Sequence, residues 1–455
     1  MKLLSWFILL SSTIVYVLPF WFSTYCWWMI FFFPIPLLYV VLQEKVSYIH
    51  GFIWGISVYS FHLSGVLWGT IILAKGSYIV RIIPALFIII YQSLYTGLWF
   101  WFMGYINDRY TLQKKRYLHC IVWIISLCIY TFWLDRYCLF LFDRLEGYSL
   151  MHPLLPLAEK PMLLCLIPYG GKICFTLLLY SFAGLCTLFL LHPSWYTVFL
   201  CLLSVIPWCI SIWLWTNHVP TIPTWLNGIV CLPKKFPDIE NISFSARLLR
   251  EEVRCILQKY PEVHIVFAPE SSIYTHYLFN EPSLVNHLSP PEIGKPLQLL
   301  IGSFYDDDGK YRNTCYWVKD GIMQQRFDKR HAMVLIERIP SLFKSNIIKD
   351  MYFTQMPEII SSNNIRPHFN VSDTLCVVPY LCSELFFNEY PDDPYDCTIL
   401  LLANDTWTPS RYIRDLMYLA ARFKALQWQR GIIYITYYYH SFFDVYGNEY
   451  PIKRC

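Results

Sequence analysis

Three short strings hold the residues of this chain best suited to chemistry: FAPES at 267–271, FDKRHAMVLIE at 327–337 and PYLCSE at 379–384. They supply a carboxylate at Glu270, an ammonium at Lys329 and a thiol at Cys382, with further carboxylates at Glu337 and Glu384. That set suits acyl chemistry. A thiol attacks an ester or amide carbonyl, a carboxylate takes the thiol proton and returns it, and an ammonium stabilises the oxyanion that develops. Taken singly, each residue has a plainer reading: Glu270 as a first-turn acid or solvated loop charge, Lys329 as a surface charge, Cys382 as a structural thiol. Glu337 and Glu384 are read as catalytic support, with packed salt-bridge partners as the alternative. The joint order, and the position of each group at the end of an apolar run, favour a shared site.

These residues need rigid elements to position them. From Asn227 onward, short β-rich runs alternate with amphipathic helical stretches, which predicts an α/β layered domain. Strands are expected at 229–232, 263–268, 298–304, 314–319, 323–327, 375–379, 398–403, 432–436 and 441–445, and Asp320-Gly321 reads as a hairpin turn between two of them. Helices are expected at 244–259 and 411–431; Leu416, Leu419, Ala420, Phe423 and Leu426 of the second recur at helical spacing, and Gly431 is the expected stop. Glu270 follows the run VHIVFAP and Cys382 follows CVVPYL, so both emerge at strand ends, where α/β folds assemble sites. A thiol where a strand hands over to a helix gains thiolate stabilisation from the helix N-terminus.

The other half of the chain is of a different kind. Of the 455 residues, 56% are hydrophobic and only 15% charged, against about 25% charged in an ordinary soluble protein. Residues 1–216 hold 12 Lys+Arg and 6 Asp+Glu, whereas 217–455 hold 24 and 26. The first part therefore reads as a transmembrane domain (1–216) and the second as a charge-balanced globular domain (217–455). About seven apolar runs are long enough to span a bilayer, near 3–22, 25–42, 51–73, 82–103, 118–138, 173–191 and 195–215. The most basic short connection, with Arg109, Lys114, Lys115 and Arg116, is assigned to the cytoplasm, which carries residue 217 onward to the opposite face; Lys75 and Arg81 oppose that assignment. Ten of the sixteen cysteines lie at or before Cys231, in or beside apolar runs, and the rest have no spacing that marks a disulfide framework. No CxxC or HExxH occurs and the twelve histidines are scattered, so neither a metal nor an organic cofactor is expected. With no Lys/Arg block, nucleic acid is not an expected partner.

The three strings together resemble those of the apolipoprotein N-acyltransferases, a membrane branch of the carbon–nitrogen hydrolase (nitrilase) superfamily. FDKRHAMVLIE preserves the family's Lys-to-Glu spacing between Lys329 and Glu337 while losing its Pro-Phe-Gly, and CSE keeps Cys382 and Glu384 with Ser383 where the family has an aromatic residue. The NDTWT stretch at 404–408 is similar to a family loop whose tryptophan, here Trp407, lies near the active-site mouth; YRNT at 311–314 and RFKALQ at 422–427 are also similar. The chain differs at TYYY, 436–439, where the family has a TNNG-like turn, and it stops at Cys455 without the family's closing transmembrane helix.

The resemblance implies a multi-span α-helical membrane domain joined to a nitrilase-like αββα sandwich. It implies Glu270, Lys329 and Cys382 as catalytic, Glu337 and Glu384 as supporting and Trp407 as substrate-binding. The implied reaction takes an acyl chain from a phospholipid, phosphatidylethanolamine foremost, onto Cys382 as a thioester, and passes it to the N-terminal cysteine amine of a diacylglyceryl apolipoprotein. The implied place is the bacterial inner membrane, with the catalytic domain on the periplasmic side. Two alternatives stay open on residues alone: a membrane-tethered amidase or hydrolase in which water replaces the amine, and a non-catalytic lipid- or lipoprotein-binding membrane protein.

Overall fold

The structure is a computed structural model that describes residues 3–65, 78–137, 149–233, 242–272, 296–307, 310–333, 337–338, 359–362, 365–387, 397–406 and 410–454. The chain forms two compact units, Met1–His218 with Ser410–Gln427, and Val219–Pro409 with Trp428–Cys455.

The first unit is helical. Among the described residues six segments are long and apolar enough to cross a membrane: Leu3–Trp21, Ser23–Gln43, Leu86–Tyr110, Arg116–Arg136, Ile167–Leu191 and Trp195–Thr216. The second is not one continuous helix. A 3-10 stretch, Trp27–Phe31, interrupts it, and the α-helix restarts at Pro34, a residue suited to a helix's first turn because its missing N–H is unneeded there. Of the run expected to span at 51–73, the described part is a 15-residue helix, Tyr48–His62, and residues 66–77 lie outside the described residues.

The second unit is α/β, as the sequence predicts, with two six-stranded sheets. Its strands are β1 (Ile229–Cys231), β2 (Ile265–Ala268), β3 (Gln298–Asp307), β4 (Lys310–Lys319), β5 (Ile322–Asp328), β6 (Phe369–Ser372), β7 (Leu375–Leu381), β8 (Thr398–Leu402), β9 (Ile432–Ile435), β10 (His440–Phe443), β11 (Glu449–Pro451) and β12 (Lys453–Arg454). One sheet runs β12-β1-β2-β3-β4-β5 and the other β11-β10-β9-β8-β7-β6. Side chains alternate across each strand, and the first sheet uses both faces. Ile229, Cys231, Ile265, Phe267 and Leu300 point into a core shared with Val377, Leu381, Leu400, Leu402, Ile433 and Ile435 of the second sheet. Val230, Val266, Ala268, Leu299 and Ile301 point the other way, onto Leu249, Val253 and Ile256 of the Ile242–Lys259 helix. Burial on both faces is why these strands read as unbroken apolar runs.

Several expected boundaries move. The Arg411–Trp428 helix ends three residues before Gly431, after which Gln429 takes a left-handed φ of 53°. Asp320 and Gly321, with φ of 49° and 78°, make the type I′ geometry of a two-residue hairpin. Strands β6, β11 and β12 escaped the sequence reading; they are two to four residues long at sheet edges, too short for a period-2 signal. The expectation that the later cysteines form no disulfide is corrected. Cys376 and Cys397 are bridged, because the parallel pairing of Val377 with Thr398 sets their neighbours side by side, which a separation of 21 residues does not reveal.

Candidate active site

Three strand ends converge. Glu270 lies two residues beyond β2, Lys329 one beyond β5 and Cys382 one beyond β7. The strands β2 and β5 belong to the first sheet and β7 to the second, so the sandwich itself brings the groups together.

Glu270 is buried, with a close passage for its backbone. A Cβ on Gly302 of β3 would sit 2.5 Å from Glu270 Cα and 2.9 Å from the Pro269 carbonyl oxygen, so only glycine lets the two segments approach this closely. Every oxygen of Glu270 is engaged. The Lys329 ammonium lies 3.3 Å from Oε1, the Asn313 amide donates to the same oxygen, the Asn404 backbone N–H donates to Oε2 at 2.8 Å, and the Tyr437 hydroxyl donates to the backbone carbonyl at 3.1 Å. Lys329 is 1% exposed, and its ammonium also contacts Glu337 at 2.8 Å. Its position is set by its own backbone, whose N–H donates to Asn313 O at 2.7 Å and whose carbonyl accepts from Ser362 at 2.9 Å.

Cys382 opens a 3-10 turn, Cys382–Phe386, with a left-handed φ of 45°. That conformation costs an L-residue roughly 1–2 kcal/mol and turns the chain sharply at the strand end, as a presented nucleophile requires. The thiol donates a hydrogen bond to the Glu270 carboxylate and feels the charges of Lys329 and Glu337.

Glu384 has a different place from Glu337. It is fully buried and accepts from the backbone N–H of Arg330 (2.7 Å), His331 (3.3 Å) and Leu381 (2.8 Å), and from the Arg366 guanidinium (3.0 Å). One carboxylate thus ties the segment after Lys329 to the turn that carries Cys382. Ser383 adds to the same seam, its hydroxyl donating to His331 O at 3.2 Å, while the His331 ring stacks on Phe387. Burial pushes the Glu384 carboxyl up, but Arg366, His331 and the Leu381 N–H outweigh it and hold it below the usual range.

Protonation follows from the charge count. Glu270, Glu337 and a thiolate would put three negative groups around one ammonium. Burial, and then Glu270, push the Cys382 thiol well above its usual range. Burial also raises Glu270, against the pull of Lys329, Asn313 and Asn404. Lys329 is drawn down by burial, but Glu270, Glu337 and Cys382 outweigh that and keep it charged. The resting site is a protonated thiol hydrogen-bonded to a carboxylate, beside a fixed positive charge: a base ready to take a proton as negative charge appears on a bound carbonyl oxygen.

The structure therefore gathers Glu270, Lys329, Cys382 and Glu337 into one cluster and places Glu384 behind the turn. Trp407 lies outside the described residues. The residue overlooked by sequence reading is Asn313, whose amide donates to both Glu270 and Glu337, the latter at 2.9 Å. An asparagine inside a buried strand run, YRNTCYW, was the available signal, since strands are depleted in it. Tyr437 also gains a part. The TYYY departure supplies both the hydroxyl on the Glu270 carbonyl and a backbone N–H to Asp405 at 3.1 Å.

No protein-family model matches the sequence, and no curated protein matches it. Solved structures to which it is similar include the carbon–nitrogen hydrolase from Helicobacter pylori G27, with 13% identity over 48% of this chain and 84% of that one and a TM-score of 0.33. They also include a branch-10 member of the nitrilase superfamily from Saccharomyces cerevisiae, with 13% identity over 49% of this chain and 84% of that one and a TM-score of 0.32. A glutamine-dependent NAD(+) synthetase from Cytophaga hutchinsonii is similar at 14% identity over 45% of this chain and 34% of that one, with a TM-score of 0.27.

Proposed function

We propose that this chain is a membrane-embedded cysteine acyltransferase of the apolipoprotein N-acyltransferase kind. The observation that carries the reading is the hydrogen-bonded Cys382–Glu270 pair beside the buried ammonium of Lys329, in a chain with six helices long and apolar enough to cross a membrane. In the first step Glu270 takes the Cys382 proton as the sulfur attacks the ester carbonyl of a phospholipid, with Lys329 facing the oxyanion. Collapse expels the lysophospholipid alkoxide, which recovers the proton from Glu270 and leaves an acyl thioester. In the second step the N-terminal cysteine amine of a diacylglyceryl apolipoprotein attacks the thioester, Glu270 takes the amine proton, and the sulfur leaves as the thiol.

Lipid substrates give the helical half a physical reason. At about 0.8 kcal/mol per CH₂, drawing a long acyl chain into water is prohibitive, so acyl donor and acceptor are best met in the bilayer. The Cys376–Cys397 disulfide supports placing the second unit on an oxidising face, the periplasmic side of an inner membrane.

The test uses the detergent-solubilised protein and phosphatidylethanolamine, followed by a chase with a diacylated lipopeptide. The expected result is appearance of triacylated lipopeptide with stoichiometric lysophospholipid. Release of free fatty acid at the same rate with and without lipopeptide would instead make the chain a hydrolase.

A further inference from the structure

A second group of buried charges lies within the helical unit. Its cavity, of about 240 Å³, is lined by Asp135 and Arg136 at the end of the Arg116–Tyr137 helix, by His152, and by Gly170, Gly171 and Lys172 at the start of the Ile167–Leu191 helix. None of these residues belongs to the Cys382 cluster.

The cavity is rich in cations. The Lys172 ammonium meets Asp135 Oδ2 at 2.5 Å, which pairs one positive charge with one negative. Arg136 and the 2%-exposed Lys424 add two more positive charges to the same field, and Asp135 is the carboxylate acting on Lys172, His152 and Lys424 alike. Burial, and then Lys172, push Lys424 well below the ordinary lysine range, and burial lowers His152 to about 3. Such groups lack countercharge, and an anion in the cavity would restore it. Backbone geometry adds donors: Gly171 breaks the helix with a left-handed φ of 73°, so the helix proper begins afresh at Lys172, and its first N–H groups have no partner one turn earlier. The volume falls below the roughly 300–1,000 Å³ of pockets that enclose drug-sized ligands, which suits a headgroup fragment rather than a whole lipid. Both helices are candidate membrane spans, and the cavity sits where one ends and the other begins, the level at which lipid phosphates lie. Arginine and lysine together match a phosphate group's geometry and charge.

We propose that this cavity binds a phosphate-ester anion of the class presented by a phospholipid headgroup. The test measures binding to the full-length protein in detergent, using dihexanoyl phosphatidylglycerol, dihexanoylglycerol and inorganic phosphate as probes. The phosphatidylglycerol is expected to bind at least tenfold more tightly than the phosphate-free dihexanoylglycerol, and inorganic phosphate is expected to compete with it. Arg136→Gln with Lys424→Met should weaken it at least tenfold, whereas Lys424→Arg, which keeps the charge, should stay within threefold of the parent. Should the double variant fail to fold, Arg136→Gln alone, on an exposed side chain, is expected to weaken binding about threefold. Equal binding of the two lipids, or unchanged affinity in these variants, would overturn the proposal. Binding of inorganic phosphate without the lipid would assign the cavity to a free anion and reject the headgroup.

Discussion

At the scale of single residues, the proposed chemistry turns on where one proton sits. Glu270 is raised by burial and by Glu337, so the acid limb of a kcat/KM–pH profile is expected above the ordinary carboxylate value of 4.5. The base must be ionised to act, so activity rises as pH climbs through that limb. Glu337→Gln removes a negative neighbour that raises Glu270, and the limb should move to lower pH; a limb that stays put would separate Glu337 from the base. Asn313 is a positioning residue. Asn313→Ala leaves two buried carboxylate oxygens short of a donor, a loss of about 1–3 kcal/mol, or roughly tenfold to a hundredfold in turnover. The decrease should fall on kcat rather than KM.

The elements explain how much of the site could be read in advance. Glu270 and Cys382 were legible because each follows an apolar strand that must stop somewhere, and Lys329 because it closes a hairpin strand whose turn is spelled Asp320-Gly321. Glu384 and Asn313 were less so. Their partners are the Arg330 and His331 N–H groups, Arg366 and two distant carboxylates, all fixed by tertiary pairing rather than by spacing. Gly302 stood as an ordinary strand glycine until the backbone of Glu270 was found against it. Gly302→Val is expected to push that backbone away and lower turnover about a hundredfold, the scale of an ångström misplacement, with a stability loss of about 1–3 kcal/mol. A kinetic assay beside a denaturant melt separates the two. Glu384 joins elements, so its loss should register in stability. Its carboxyl is depressed in the fold, so it contributes stability above the ordinary value of 4.5, lost as pH falls through the folded-state value. Glu384→Gln removes the carboxylate partner of buried Arg366 and should cost about 3–5 kcal/mol at neutral pH. A melt unchanged at pH 7 would contradict that.

For the whole molecule, composition alone divided an apolar half from a charge-balanced one, because a bilayer and water select residues differently. What composition could not give was the Cys376–Cys397 bridge, which depends on β7 and β8 being neighbours. Reduction, or Cys376→Ser with Cys397→Ser, should lower stability by about 3 kcal/mol, given the length of loop it closes. Thiol-blocking alkylation of intact cells should find this pair protected; two freely alkylated thiols would contradict an oxidising location. The central claim is that the sulfur of Cys382, Glu270 and Lys329 act as one acylating centre. The direct measurement is intact and peptide mass of the protein after incubation with phosphatidylethanolamine. A hydroxylamine-labile acyl group on the peptide bearing Cys382, absent in Cys382→Ala and greatly reduced in Glu270→Gln, is the expected result. Acyl label on another cysteine, or undiminished label in Cys382→Ala, would contradict the account.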